Sequence, residues 1–413
     1  MRRSLKTLSV LTLATLGTAL TSASAEAAGF YIQEQSIRGQ GAAFSGSTTT
    51  LNDPSVMYYN PGALTQIPGT QTMMGVHILV PDSELSDTGS TGLSLLGTPG
   101  DGGNPYDPTA VPNAYISHQV DDQWWLGIGI SAPFGLGNEY DDGWFGRYDS
   151  LESHLKTIDI QPTVAYKIND MLSVGAGFNI QKADAVLTNA AFVTSEGEAR
   201  LTGDDLSFGY NVGLHYTPNE DITLGASYRS AMYHRLEGSL STTGTGGDFN
   251  TGGEADLNLP DIATFGAAYD ITDKITVQGQ ATWFGWNNFE EIRVLTPVVN
   301  TTTTQNYQTT WAFAGGLEYD HNEKWDFRAG VQFDETPTTD EYRTSRTPDG
   351  DRTWLSLGGT YSLNERMDID FAGTYIWIED EEINVSRNSG AATIQADTEG
   401  SVGIVSVGMN YKF

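Results

Sequence analysis

The chain has 413 residues, 38% of them hydrophobic, with a mean hydropathy of −0.31 and a net charge of −31 from 52 acidic and 21 basic residues. After the N-terminus no apolar run reaches the roughly 18 residues that a membrane helix needs, and so strong an acidity argues against nucleic-acid or anionic partners. The absence of cysteine removes thiolate chemistry and any disulfide framework, and suits an exported protein that needs none.

Residues 1–27 read as an export signal. Arg2, Arg3 and Lys6 make its positive segment, Leu8 to Leu20 a short apolar core, and Ala25-Glu26-Ala27 a small-residue cleavage site. Cleavage is expected after Ala27, with Ala25 as the alternative through Ala23-Ser24-Ala25.

Residues 28–68 show no two-residue alternation, and Gly and Pro interrupt them repeatedly. They carry Phe30, Tyr31, Phe44, Tyr58 and Tyr59, side chains that seek burial rather than a solvated tail. The expectation is a plug folded into a lumen formed by the rest of the chain.

From Gly69 to Phe413, short and long connections alternate. Six tight polar joints fall at Gln119–Gln123, Lys167–Met171, Thr217–Asp221, Asp270–Lys274, Asp320–Lys324 and Ser362–Arg366. Seven longer Gly/Thr/Asp-rich stretches lie between them, near 81–112, 132–153, 186–204, 234–254, 285–308, 334–350 and 379–400. Thirteen connections join fourteen strands, as an all-β, antiparallel transmembrane barrel with both ends on its periplasmic side requires. The strands themselves alternate: Met367, Ile369, Phe371, Gly373, Tyr375 and Trp377 share one face, Asp368, Asp370, Ala372 and Thr374 the other. Spans of about 9–11 residues suit a tilted bilayer crossing. Aromatics near strand ends (Trp124, Trp125, Trp325, Tyr361, Trp377, Tyr411) suit an interfacial girdle. The last strand puts Val405, Val407, Met409, Tyr411 and Phe413 on one face, a terminal pattern resembling the signal read by barrel assembly machinery. The expected layout is a signal over 1–27, a plug over 28–68 and a barrel over 69–413.

The acidity reads as solvated extracellular loops, in a salt-rich habitat or bridged to lipopolysaccharide by divalent cations. A cation-selective lumen, or calcium at Asp349-Gly350-Asp351 or Glu379-Asp380-Glu381-Glu382, is the other reading, but no full calcium-loop pattern is present. No metal or cofactor is expected.

Ala28-Gly29-Phe30, Gly39-x-Gly41-x-Ala43 and Asn60-Pro61-Gly62, followed by Ser131-Ala132-Pro133-Phe134-Gly135-Leu136 and Trp144-Phe145-Gly146-Arg147-Tyr148, resemble the FadL-type transporters. These are long-chain fatty acid and hydrocarbon channels of outer membranes. With the strand count, the resemblance spans the chain after the signal, although Gly62 stands where the family usually has Ala. The resemblance implies a passive channel for apolar molecules whose N-terminal hatch closes the periplasmic end, and whose ligand leaves sideways where the third strand kinks. Carried over by position, Asn60, Pro61 and Gly62 are the hatch element, Phe30, Ile32 and Phe134 the ligand-binding residues, Pro133 and Gly135 the kink, and Tyr411 and Phe413 the assembly signal. Pro cannot donate to a ladder and Gly tolerates unusual torsions, so a strand can leave its neighbour there.

A general diffusion porin is the alternative, disfavoured because it needs an open polar lumen. An enzyme is not expected, since His77, His118, His154, His215, His234 and His321 accompany no nucleophile motif. The expected partners are an apolar small molecule, outer-membrane lipid and lipopolysaccharide, and the assembly machinery, with the chain a monomer. For a fatty acid, Arg229 and Arg328 on the expected lumen face are the candidate cations; an outer collecting site, if any, falls to Leu93, Leu95 and Leu96.

Overall fold

A computed structural model describes residues 29–97 and 99–413; the expected export signal lies outside them. Fourteen antiparallel strands close into one barrel. They are β1 (Thr70–Asp87), β2 (Thr109–Gln119), β3 (Trp124–Ser131 and Gly135–Glu139), β4 (Glu152–Lys167), β5 (Leu172–Phe192), β6 (Glu196–Tyr216) and β7 (Ile222–Arg229 and Met232–Thr243). Then come β8 (Phe249–Leu259 and Ile262–Thr272), β9 (Ile275–Phe284 and Glu291–Leu295), β10 (Asn300–Thr304 and Thr310–Asn322), β11 (Trp325–Asp334), β12 (Arg352–Asn364), β13 (Met367–Arg387) and β14 (Ala392–Lys412). Each strand pairs with its sequence neighbour, and β1 closes on β14 from Gln71↔Lys412 to Asp87↔Ala396. Thr70 and Phe413 therefore meet at the same rim, where the Phe413 N–H donates to Thr70 O at 3.0 Å.

Alternation decides which face meets lipid. Along β6, Leu206, Phe208, Tyr210, Val212 and Leu214 are exposed, while Gly209 and Asn211 between them and His215 after them are buried. An apolar outer belt around a polar, filled interior inverts the pattern of a soluble sandwich. Among the described residues no helix is long and apolar enough to cross a membrane; the strands do so instead.

All six tight joints coincide with turns between paired strands. The long stretches need correction. Strands continue through most of 186–204, 234–254 and 379–400, leaving only short connections near 193–195, 244–248 and 388–391. Beyond the bilayer the outer face turns polar and the apolar alternation fades, yet the backbone ladder continues because its bonds do not depend on the side chains. Strands accordingly reach 21 residues. Trp125 also differs from its expected girdle role. It points inward, 3% exposed, and its Nε1–H donates to Ile67 O at 2.8 Å.

Residues 29–68 occupy the interior. Nearly all are buried, with short helical turns at Ile37–Gly41, Val56–Tyr59 and Pro61–Gln66. Arg38 ties this segment to the wall through Asp370 at 2.9 Å and Asp368 at 3.2 Å, both inward on β13. Bare backbone on the wall lets the segment approach: a Cβ on Gly175 would lie 2.3 Å from Pro61 C, and one on Gly213 2.1 Å from Asn60 Oδ1.

Candidate functional site

Asn60 begins the last turn of the N-terminal segment. Its Oδ1 accepts from Gly62 N–H at 3.0 Å, and its Nδ2 donates to Thr48 O at 2.8 Å and to Leu214 O of β6 at 3.0 Å. One side chain thus joins two parts of the segment to each other and to the wall. Pro61 follows at the first helical position, where its missing N–H costs nothing. A Cβ on Gly62 would lie 2.7 Å from Gly213 O, so only glycine fits this close against the wall.

The start of the segment meets β3 where that strand breaks. β2 and β3 pair only as far as Ala114↔Ile130; past Ser131 the register with β2 ends, and Ala110–Asn113 of β2 keep their register with β1. β3 resumes at Gly135, paired only with β4. In the break the N-terminal segment replaces β2. Ile32 N–H donates to Pro133 O at 2.8 Å and Gly135 N–H to Phe30 O at 3.0 Å. The Gln35 amide satisfies Ala132 on both sides, donating to its carbonyl at 2.9 Å and accepting from its N–H at 3.2 Å. Leu136, Gly137 and Asn138 are buried on every side; the strand has moved inward, off the lipid surface. Pro112 lies on the abandoned stretch of β2, a residue that sheets tolerate best at an unpaired edge.

Above this junction lies an apolar cavity with about 770 Å3 of empty space, partly open to solvent. Leu155, Leu201, Leu236 and Leu257 on strands, with Phe289 and Tyr307 from the interruptions of β9 and β10, supply large apolar side chains to its wall. Phe30 forms its base. Phe30 packs edge-on against Trp286 at 4.8 Å and Phe289 at 5.4 Å. Ile32 and Phe134 do not line the cavity. Phe134 supports Phe30 and Tyr31 from behind, and Ile32 packs beside Phe44 and Trp354 while covering Gly135. The motifs of the sequence do not point to the lining leucines, although one signal is there to be read: they are apolar on the inward face, where this barrel is otherwise polar.

Arg229 and Arg328 do point inward, but both are neutralised. Arg229 pairs with Asp159 at 3.3 Å and donates to Tyr58 O, while Arg328 pairs with Glu318. The cation at the cavity is Arg346, from the loop between β11 and β12. It donates to Ser153 Oγ at 3.0 Å, Thr188 O at 3.0 Å and Glu152 O at 3.3 Å. Among the described residues it has no carboxylate within ion-pair distance; Asp149 is engaged by Arg387 at 2.6 Å and by Ser345. Burial, only partly offset by Asp149, lowers the Arg346 guanidinium to about 10, so it stays charged at neutral pH. Asp349, one of the calcium candidates, is occupied by Arg352, Gly29 N–H and Thr336.

A closed barrel with a lipid-facing belt and a filled, cavity-bearing interior defines an outer-membrane β-barrel. The chain belongs to the outer membrane protein transport family (OMPP1/FadL/TodX), whose model matches residues 18–413; it is a transport protein of that membrane and not an enzyme. It is 26% identical over 456 residues to the long-chain fatty acid transport protein of Escherichia coli (strain K12), with 99% of each chain covered. It is 25% identical over 405 residues to outer membrane protein P1 of Haemophilus influenzae, covering 86% of this chain and 87% of that one. Of solved structures, a FadL homologue of Pseudomonas aeruginosa superposes with a TM-score of 0.87 at 23% identity, covering 94% of this chain and all of that one. The toluene transporter TodX of Pseudomonas putida gives 0.68 at 18% identity, covering 91% and 99%. At these identities the structural likeness speaks to the fold alone.

Proposed function

We propose that the chain is a passive channel for amphiphiles with a long apolar tail and an anionic head, such as long-chain fatty acids. The tail fills the Leu155–Leu257 cavity and the head meets Arg346, a local positive charge that outweighs the repulsion expected from the net acidity of the chain. The observation that carries this reading is an apolar cavity with a charged, carboxylate-free arginine at its rim. Burial of about 25 cal/mol per Å2 of tail surface drives entry, and a buried guanidinium recognises a carboxylate by paired, charge-assisted hydrogen bonds.

Residues 28–68 act as a hatch, with Asn60, Pro61 and Gly62 as its catch on the wall. Exit runs sideways at the β3 break around Pro133 and Gly135, where an apolar solute reaches lipid without crossing the polar interior below. A general porin is disfavoured because the lumen below the cavity is filled by side chains of the N-terminal segment.

Titration of the purified protein with a long-chain fatty acid and with the alkane of equal length tests this. Arg346→Ala is expected to weaken fatty-acid binding by about tenfold or more, the worth of one charged hydrogen-bonded pair, and to leave the alkane unchanged. Equal affinity of wild type and variant for both would assign the cavity to neutral hydrocarbons.

A further inference from the structure

The wall has a second break, remote from β3. β6 and β7 pair from Tyr216↔Leu224 to Asn211↔Arg229, and again from Asp204↔Glu237 to Glu198↔Thr243. Between them, over Asp205–Tyr210 and Ser230–Leu236, no strand register forms among the described residues. One backbone bond, from Ser230 N–H to Tyr210 O at 2.8 Å, remains at its lower end, and side chains close the rest. Tyr210 N–H donates to Ser230 Oγ at 3.0 Å, Ser207 Oγ donates to Tyr233 O at 2.8 Å, Arg235 N–H donates to Asp205 Oδ2 at 3.3 Å, and the His234 ring nitrogen Nδ1 meets Asp205 Oδ2 at 3.1 Å.

The seam has a structural cause. β7 is interrupted at Ser230–Ala231, β8 at Pro260–Asp261, β9 between Phe284 and Glu291, and β10 between Thr304 and Thr310. These interruptions form one bend line across four neighbouring strands. The parts beyond it make a flap: Met232–Thr243, Phe249–Leu259, Glu291–Leu295 and Asn300–Thr304. The flap is held laterally by the short upper ladder to β6. Its far edge, Asn300–Thr304, pairs only with Glu291–Leu295 among the described residues.

What lies on either side of the seam points to its use. Outside, Leu206, Phe208, Tyr210 and Tyr233 are each more than half exposed, in the apolar belt and away from the periplasmic turn that ends β6. Inside, Met232 and Leu236 are buried in the same apolar cluster as Phe30, and Leu236 lines the cavity. Leu236, which lines the cavity, and Tyr233, exposed on the outer face, are three residues apart on this stretch of β7. Irregular backbone facing lipid is costly unless its polar groups are satisfied, and here side-chain bonds with a single backbone bond do part of that work in a form that can be broken and remade without unzipping a ladder.

We propose that this seam is a second lateral portal, through which the alkyl tail of the cavity's ligand exchanges with the extracellular half of the bilayer as the flap moves. The portal rests on the reading of the cavity as an apolar binding site, and is separate from the β3 exit.

The test uses the full chain, free of natural cysteine, in proteoliposomes. Phe208→Cys with Tyr233→Cys brackets the seam; Val212→Cys with Tyr228→Cys brackets the intact ladder below it, where these residues pair. Each pair is joined with a short bismaleimide, and filling of the cavity by a fluorescent long-chain fatty acid is timed, with the ligand supplied either from water or preloaded in the bilayer. Joining the seam is expected to slow filling from the bilayer several-fold and to leave filling from water and equilibrium binding unchanged. The control cross-link changes neither. Ser207→Ala with Ser230→Ala, which removes two side-chain closures without a cross-link, is expected to speed filling from the bilayer. Unchanged filling from the bilayer in both seam variants, with binding intact, would overturn the portal while sparing the cavity. Loss of all binding even before cross-linking would overturn the cavity reading and the portal with it.

Discussion

Two residues of the N-terminal segment act on its packing in opposite directions. Asn60 makes three hydrogen bonds to backbone groups, so Asn60→Ala is expected to weaken docking of the segment by about 1–3 kcal/mol. No strand pairing of the barrel depends on the Asn60 side chain; the expected result is reduced uptake of apolar substrates at equal surface level, with little change in barrel melting. Glu34 works the other way. It is 1% exposed, and neither oxygen makes a full hydrogen bond. Burial, the largest influence, pushes its carboxyl from 4.5 up to about 7, with its own and the Gln33 backbone N–H groups and Arg352 opposing. A folded pKa above the unfolded one means that packing around Glu34 is most stable below pH 4.5 and loses about 3 kcal/mol as pH rises towards 7. Hydrogen exchange of residues 30–36, corrected for intrinsic rates, should therefore quicken over that range in the native chain and stay flat in Glu34→Gln. Neither residue's environment follows from sequence periodicity. Asn60 can be singled out by its Pro and Gly neighbours, whereas the isolation of Glu34 and the free charge of Arg346 are set by partners more than a hundred positions away or by what is missing around them.

Strands are legible in the sequence and their interruptions are not. A turn such as Asn169–Asp170 announces itself through local chemistry, and an inward Asp368 beside an outward Ile369 announces a strand. Whether Ser131 still has a neighbour on β2 depends on what competes for its ladder bonds, and that competitor, Gln35 with Phe30 and Ile32, lies about a hundred residues earlier. Pro133 and Gly135 mark the first break as a place of weak pairing, but nothing of the kind marks Asp205–Tyr210, an unbroken stretch whose partner strand bends away. At the β3 junction a lock tests the element. A Cβ on Gly135 would lie 2.8 Å from the Ile32 side chain, so Ile32→Cys with Gly135→Cys should oxidise to a disulfide holding the segment to the break. Oxidation is expected to stop hydrophobic uptake and reduction to restore it, while the cavity still binds ligand in both forms. Continued uptake through the locked protein would exclude the β3 junction as the exit.

At the scale of the whole molecule, closure is one strand pair, and Phe413 adds its final backbone bond. β14 pairs with β13 on one side and with β1 over seventeen residue pairs on the other. Phe413 adds the final backbone bond to Thr70, packs edge-on against Tyr411 at 5.0 Å, and leaves its ring 71% exposed at the rim. Such a residue contributes little to folded stability, since one backbone hydrogen bond is worth about 1 kcal/mol and an exposed ring buries little apolar surface. Its place on the apolar edge of the closing strand fits recognition before closure better than support after it. The two roles separate experimentally. Deleting Phe413 should leave a secreted but unassembled, protease-sensitive chain in cells. The same truncated chain refolded into detergent micelles, where no assembly machinery acts, should form a heat-modifiable barrel melting within a few degrees of the full-length protein. Normal amounts of the truncated barrel in the outer membrane would remove the recognition role. Failure to refold in micelles would instead make Phe413 a structural keystone of closure.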